Sequence, residues 1–227
     1  MKVLVLNGSP KVKSDTMVFT SAFLKGLNCQ NEHEIKIVNL IEKKIRPCTG
    51  CFECFKSGKG TCVIDDDQNK LLGEYAESQI VIWSFPLYAF GMPGHLKTFL
   101  DRTVPLISMK MVETEKGCRH VRCSGVCSRH NVVICGCGFP EYEHNFDGLK
   151  VQMDLSFRNL TAVYVPQAPL MNIEAAKPVA VSKAEAFVQA GIEYNDAFSL
   201  SPATVEKLQS LMIPKDVYIQ AHNSSWD

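Results

Sequence analysis

The sequence is short of several features that would give a partner away. It has no excess of either charge: 24 Lys and Arg stand against 24 Asp and Glu, so the formal net charge is zero. Nothing in that balance suggests a nucleic-acid surface or a polybasic anchor for lipid. It has no apolar run near the roughly 20 residues that a membrane helix needs. The opening residues are charged and then apolar, but Asn7-Gly8-Ser9 interrupts them too early for a secretory signal, so the expected location is cytoplasmic. Gly-x-x-x-x-Gly-Lys-Ser/Thr is missing, which excludes an ATP-type phosphate loop, and Gly-x-Gly-x-x-Gly is missing, which excludes the dinucleotide fingerprint. His33, His95, His120, His130, His144 and His222 show no metal spacing, and no nucleophile–base–acid set stands out. There is no internal repeat.

What is present begins at the start of the chain. Val3-Leu4-Val5-Leu6 runs without polar alternation, as a strand buried on both faces of a parallel sheet does. Gly8 offers a sharp turn at its end. Ser14, Asp15 and Thr16 are N-cap types, and Met17, Val18, Ala22, Phe23 and Leu27 repeat at helical spacing behind them. A helix over 16–27 therefore starts just above the end of a strand over 2–6. Its free amides, the hydroxyls of Ser9, Ser14 and Thr16, and the charge of Lys11 make an anion pocket. A capped helix with no ligand is the plainer alternative.

Further along, 34–40 alternates polar and apolar residues, as an edge strand does, and 68–77 fits a helix. Apolar strands are expected at 79–84, 131–135 and 160–165. Helices are expected after Pro93 at N1, over 145–157, over 181–198 and over 203–211. This alternation predicts an α/β fold: a doubly wound, five-stranded parallel sheet with helices on both faces. Ligands in such sheets bind beyond the strand C-termini, which singles out the loops 7–16, 84–92 and 136–142. The second loop is loaded with aromatics and Gly where a surface turn needs none, as a surface for a flat ring would be, or a lid packed on its neighbours. Gly136-Cys137-Gly138-Phe139 in the third loop lets backbone approach a ligand, or makes a plain turn.

Asn7-Gly8-Ser9-Pro10 with Ser14 and Thr16, followed by Pro86-Leu87-Tyr88, Pro93, Leu96-Lys97 and Asp101-Arg102, resembles the NADPH-dependent FMN reductase family of flavodoxin-like proteins. The resemblance covers about 1–103 and, more loosely, 130–167. It implies FMN, with its phosphate at Ser9, Lys11, Ser14 and Thr16. The flavin ring would lie against Pro86, Leu87, Tyr88, Ala89 and Phe90, with Gly136, Cys137, Gly138 and Phe139 near its other end. Asp15 stands where the family more often has a neutral residue, which implies that its carboxylate turns from the phosphate to cap the helix. Such a site needs no acid–base set, since hydride passes from nicotinamide to the flavin and the protein supplies orientation and electrostatics.

Ten cysteines are many for a chain of 227 residues in a reducing compartment. Cys48, Cys51, Cys54 and Cys62 are spaced C-x2-C-x2-C-x7-C, with Gly50, Gly58 and Gly60 giving turn freedom. The stretch resembles that of iron–sulfur flavoproteins, a branch of the same family, and implies a [4Fe–4S] cluster. Zinc, a redox disulfide and free thiols are the alternatives. Cys118, Cys123, Cys127, Cys135 and Cys137 match no ligand set, and Cys135, on an apolar strand, is expected to be a buried thiol.

The expected organisation is one FMN-binding domain over 1–198, including a cysteine loop at 46–64 and an insertion at 104–130, then a helical extension over 199–227. Met109, Met111 and Val112 suit the insertion to covering the flavin or a partner subunit. The expected activity is FMN-dependent NAD(P)H oxidoreduction, passing electrons to a quinone, a flavin or a small electrophile. An iron–sulfur electron-transfer protein and a non-enzymatic flavin or thiol redox sensor are the alternatives. Expected partners are NAD(P)H, a small-molecule or redox-protein acceptor, and further copies in a homodimer or homotetramer, with no nucleic acid and no membrane.

Overall fold

A computed structural model describes residues 1–11, 14–115 and 117–225; Val12 and Lys13 of the first loop, Lys116, Trp226 and Asp227 lie outside the described residues. The unbroken apolar opening becomes β1 (Lys2–Asn7), in which Val3, Leu4, Val5 and Leu6 are each at most 1% exposed. Complete burial of such side chains contributes about 1.5–3 kcal/mol apiece, which is why this strand lies inside the sheet. β2 (Glu34–Asn39) pairs with it on one side and β3 (Ile80–Pro86) on the other, both parallel. β6 (His130–Gly136) and β7 (Leu160–Val165) complete a five-stranded parallel sheet in the order β2-β1-β3-β6-β7. The chain steps from β1 to one edge at β2, then returns past β1 to β3. That reversal opens a crevice beyond the C-terminal ends of β1 and β3.

α1 (Asp15–Leu27) and α6 (Lys177–Ala197) cover one face, around Phe19, Phe23, Phe187 and Tyr194. Their axes come unusually close, because a Cβ on Gly191 would stand 2.1 Å from the Phe23 carbonyl oxygen. α3 (Gln68–Glu77), α4 (Gly94–Asp101) and α5 (Asp147–Ser156) cover the other face, around Leu72, Trp83, Phe99 and Met153. Two polar pairs lie inside the sheet layer: the Trp83 indole donates to Asn131 Oδ1 at 3.2 Å, and the Thr20 hydroxyl to Ser84 Oγ at 2.7 Å.

Several local expectations need correcting. Pro93 is the N-cap of α4, in an extended conformation, rather than its first helical residue. Gly8 makes no left-handed turn. It is there because a Cβ would meet Leu96 Cδ2 at 2.6 Å and Phe85 Cβ at 3.1 Å, so α4 lies directly on the backbone. A short helix, α2 (Glu53–Ser57), interrupts the cysteine loop. The insertion holds a hairpin of β4 (Ile107–Val112) and β5 (Arg119–Arg122), outside the main sheet. It packs near the N-terminal ends of β6 and β7, beside Asn131 and Arg158, so within this chain it does not cover the three C-terminal loops. α7 (Pro202–Gln209) is followed by α8 (Lys215–Asn223), a second helix within the stretch expected to be a helical extension, where the sequence pattern bounds only 203–211. Among the described residues no helix is long and apolar enough to cross a membrane.

Candidate functional site

The three loops meet at the β1/β3 crevice, joined by short backbone hydrogen bonds. The Gly8 amide donates to the Ser84 carbonyl at 2.8 Å, and the Leu87 amide to the Gly136 carbonyl at 2.8 Å. Loops one and three touch where a methyl on Gly136 would lie 3.3 Å from Thr16 Oγ1 and 2.9 Å from Ala168 Cβ. Gly136 is therefore a packing glycine beneath Thr16, not a backbone surface open to a ligand. Gly138, exposed and with only Pro169 within 4 Å of its would-be Cβ, has the room expected of both.

Loop one is built from its own side chains. Asn7 Oδ1 accepts from the Ser9 amide at 3.0 Å, and Ser9 Oγ from the Lys11 amide at 3.1 Å, which curls the chain over the end of β1. Ser14 caps α1, accepting from the Met17 amide at 3.3 Å. Ser9 and Thr16 are buried, and Lys11 is exposed. Asp15 is not the cap; its carboxylate accepts a short hydrogen bond from the Asn172 side-chain amide. His95, one of the histidines without metal spacing, is half-buried against loop one. Burial lowers its pKa, partly offset by a hydrogen bond with the Gly8 backbone, and its Nε2 has no partner. Helical position alone gave no signal that His95 faces the loop.

Loop two ends in a tight turn. Tyr88 and Gly91 exchange backbone hydrogen bonds at 3.0 and 2.9 Å, with Ala89 and Phe90 at φ of 47° and 60°. Two consecutive left-handed residues that are not glycine store strain, as segments held for a ligand do. The turn thrusts Tyr88 and Phe90 outward, 49% and 57% exposed, and Phe90 stacks on the exposed Phe139 of loop three, their ring centroids 5.8 Å apart. Pro86 and Leu87 are half-buried behind this shelf. Cys137 is buried and its thiol pushed up to about 11, chiefly by burial, so it is no reactive thiolate. Cys135 is buried with its pKa raised by the same cause, as expected.

α8 lies over loop three. The Tyr218 hydroxyl donates to the Gly138 carbonyl at 2.9 Å, and a cavity of about 370 Å³ opens between Leu87, Phe139, Tyr218 and His222. With the hydroxyls, the helix N-terminus and the apolar shelf side by side, the crevice has the chemistry to take a phosphate at one end and a flat ring at the other.

The cysteine loop follows β2 in the chain and reaches the insertion, where the Phe55 and His120 ring centroids are 6.1 Å apart. Gly50, Gly58 and Gly60 all have positive φ with open space around them, so the turn freedom is used. Cys48 and Cys51 are exposed, Cys54 and Cys62 half-buried. Burial, then the charges of Cys62 and Cys51, raise the Cys54 thiol; backbone and Thr49 hydrogen bonds lower that of Cys51. Beneath the loop Arg102, 1% exposed, donates to Asp66 Oδ2 at 2.5 Å and to the Arg46 and Ile64 carbonyls, and its side chain meets Cys62. Among the described residues no three His, Cys, Asp or Glu side chains converge as a metal site. The donors suit a thiolate-bound metal or cluster; their resting arrangement does not close around one.

A family described by its flavodoxin-like fold matches residues 1–195. An iron–sulfur flavoprotein of Methanocaldococcus jannaschii is 32% identical over 106 residues, 47% of this chain and 53% of that protein. Another, of Archaeoglobus fulgidus, is 36% identical over 105 residues, 46% of each. The chain thus spans about half the length of these curated relatives. The structure of an FMN-dependent NADH-azoreductase of Bacillus anthracis, in complex with FMN, superposes with a TM-score of 0.57 at 18% identity, covering 83% of this chain and 97% of that one, a likeness of fold. With its β2-β1-β3-β6-β7 sheet, its hydroxyl-lined first loop and a family match over most of its length, the chain belongs to the flavodoxin-like fold family.

Proposed function

We propose that this chain is an FMN-dependent oxidoreductase that draws on NAD(P)H and delivers electrons to a quinone, a flavin or another small electrophile. The observation that carries the reading is the single crevice in which the α1 N-terminus, with Ser9, Ser14 and Thr16, stands beside the exposed Tyr88, Phe90 and Phe139. Bound FMN supplies the two-electron chemistry between nicotinamide and acceptor. The chain's own share is binding and placement. Ser9, Ser14, Thr16 and the first amides of α1 hold the phosphate, and Lys11 adds a positive charge from the rim. Tyr88 and Phe90 present an apolar floor for the ring, with Pro86, Leu87 and Ala89 shaping the turn. Phe139 and Gly138 border its far edge, and Cys137 packs beneath them. The names of similar proteins, an FMN-dependent NADH-azoreductase among them, support the same reading.

The test is to load the purified protein with FMN and add NADPH or NADH without air. Loss of the flavin's visible absorbance, recovered on adding a quinone, agrees with the proposal. A protein that holds FMN but is reduced by neither nicotinamide contradicts it.

A second reading rests on four free thiols, Cys48, Cys51, Cys54 and Cys62, on one loop turned by Gly50, Gly58 and Gly60, and on the iron–sulfur names of two relatives. In it Cys48, Cys51, Cys54 and Cys62 carry a [4Fe–4S] cluster, and the protein transfers electrons between carriers. Iron and sulfide content after anaerobic purification decides it: stoichiometric iron and sulfide support a cluster, and their absence from a protein active as a reductase removes it. We further propose that 1–198 forms the catalytic unit and 199–227 a helical extension.

A further inference from the structure

The insertion and the strand starts beside it place four guanidinium groups around one cavity. Arg119 and Arg122 come from β5, Arg129 from the residue just before β6, and Arg158 from the turn before β7. The cavity, about 670 Å³, lies at the N-terminal end of the sheet, opposite the three loops. None of the described residues lining it is Asp or Glu. Among the described residues, none of the four arginines takes part in an ion pair within 4.0 Å. Arg119 and Arg158 also border an adjoining cleft where Glu115 and Asp154 stand; Arg122 and Arg129 do not.

Arg129 makes the argument specific. It is 7% exposed, its guanidinium lies 3.8 Å above the Tyr75 ring, and its Nη1 is buried without a hydrogen-bond partner. His120 Nδ1, on the same wall, is likewise buried and unpartnered. A buried cation with an unused donor is strongly unfavourable unless an anion reaches it. Arg122, at an exposed position, stands in the same positive field: partial desolvation, then Arg129 and Arg158, lower its pKa. Leu100, Leu106 and Phe157 add apolar side chains to the same lining.

We propose that this cavity is a second binding site, for a small molecule bearing at least two negative charges and an apolar body. Phosphate and carboxylate groups share the chemistry the arginines recognise, with paired N–H donors matching paired oxygens. The site belongs to the far side of the sheet and does not depend on what the C-terminal loops hold.

The test uses the full chain, titrated by calorimetry with inorganic pyrophosphate and separately with citrate, each against chloride at equal ionic strength. Saturable binding of at least one anion, one per chain, is expected. Arg122→Gln and Arg158→Gln, both at exposed positions, are each expected to weaken it about tenfold, while Lys25→Gln on α1 leaves it unchanged. Far-UV circular dichroism confirms that the variants fold. Binding of pyrophosphate alone assigns a phosphorylated ligand, and of citrate alone a polycarboxylate. Heats no different from chloride overturn the proposal, and so does binding that both Arg variants leave intact. A chain-to-chain association that these two substitutions dissolve, with no anion bound, overturns it too, by giving the arginines to an interface.

Discussion

The pair Asp66–Arg102 is the most demanding point of the cysteine-loop architecture. Its side chains are 6% and 1% exposed, and the bond between them is 2.5 Å. Asp66 also accepts from the Arg46 amide at 2.9 Å and the Gln68 amide at 3.0 Å, so one carboxylate ties both ends of the loop to the start of α3 and the end of α4. Replacing Asp66 with Ala leaves Arg102 buried and uncompensated and frees two amides. Losing one member of a buried pair costs about 3–5 kcal/mol, which sets the expected destabilisation. The wild-type pH dependence follows from the same contacts. Burial alone would raise the Asp66 pKa, but hydrogen bonds from Arg102, Arg46 and Gln68 outweigh it and hold the pKa below the usual carboxylate value. A carboxylate depressed in the folded state contributes stability above its unfolded pKa, about 3.9. That contribution drains away as pH falls through the still lower folded value. Urea unfolding of wild type and Asp66→Ala between neutral pH and about pH 3 checks both points. The two proteins should differ most near neutrality and converge in acid. A difference under about 1 kcal/mol at neutral pH would refute the reasoning, placing the pair in the range of solvated surface bridges.

Other expectations follow from single contacts. Gly191→Ala should destabilise by about 3 kcal/mol or more, because the new methyl meets Phe23 backbone at 2.1 Å and α1 and α6 must part; thermal unfolding measures it. Tyr218→Phe removes the hydroxyl bond to Gly138, a loss of about 1 kcal/mol, and should raise amide hydrogen exchange selectively over 215–223. Lys183→Met should cost about 2 kcal/mol by denaturant titration. It removes the ammonium that donates to the carbonyls of Lys207, Leu208 and Ser210 at the end of α7.

The sheet was legible because its strands are buried on both faces, so Val3–Leu6 and Ile80–Trp83 carry no competing pattern. The strand-to-helix turn of loop one was legible in the same way, since Ser14 stands as a cap type just before the apolar helical repeat and does cap α1; its ligand was not. The rest depends on distance. Gly8 and Gly136 look like turn or ligand glycines in a string of letters, and only the packing of Leu96 and Ala168 on them shows their role. β4 and β5 are short and largely exposed, so neither carries a clear alternation. α8 buries only Tyr218, so its periodicity is faint. Arg129 and Arg158 precede strands, where charge is ordinary; that they face one cavity is a fact of topology.

The central claim is that the crevice above β1 and β3 binds FMN by its phosphate. The most direct measurement titrates FMN into protein stripped of flavin and follows the quenching of flavin fluorescence. Saturation at one FMN per chain with micromolar or tighter affinity is the expected result, weakened at least tenfold when Ser9 and Thr16 are both changed to Ala. No quenching, or an affinity that the double substitution leaves untouched, would contradict it.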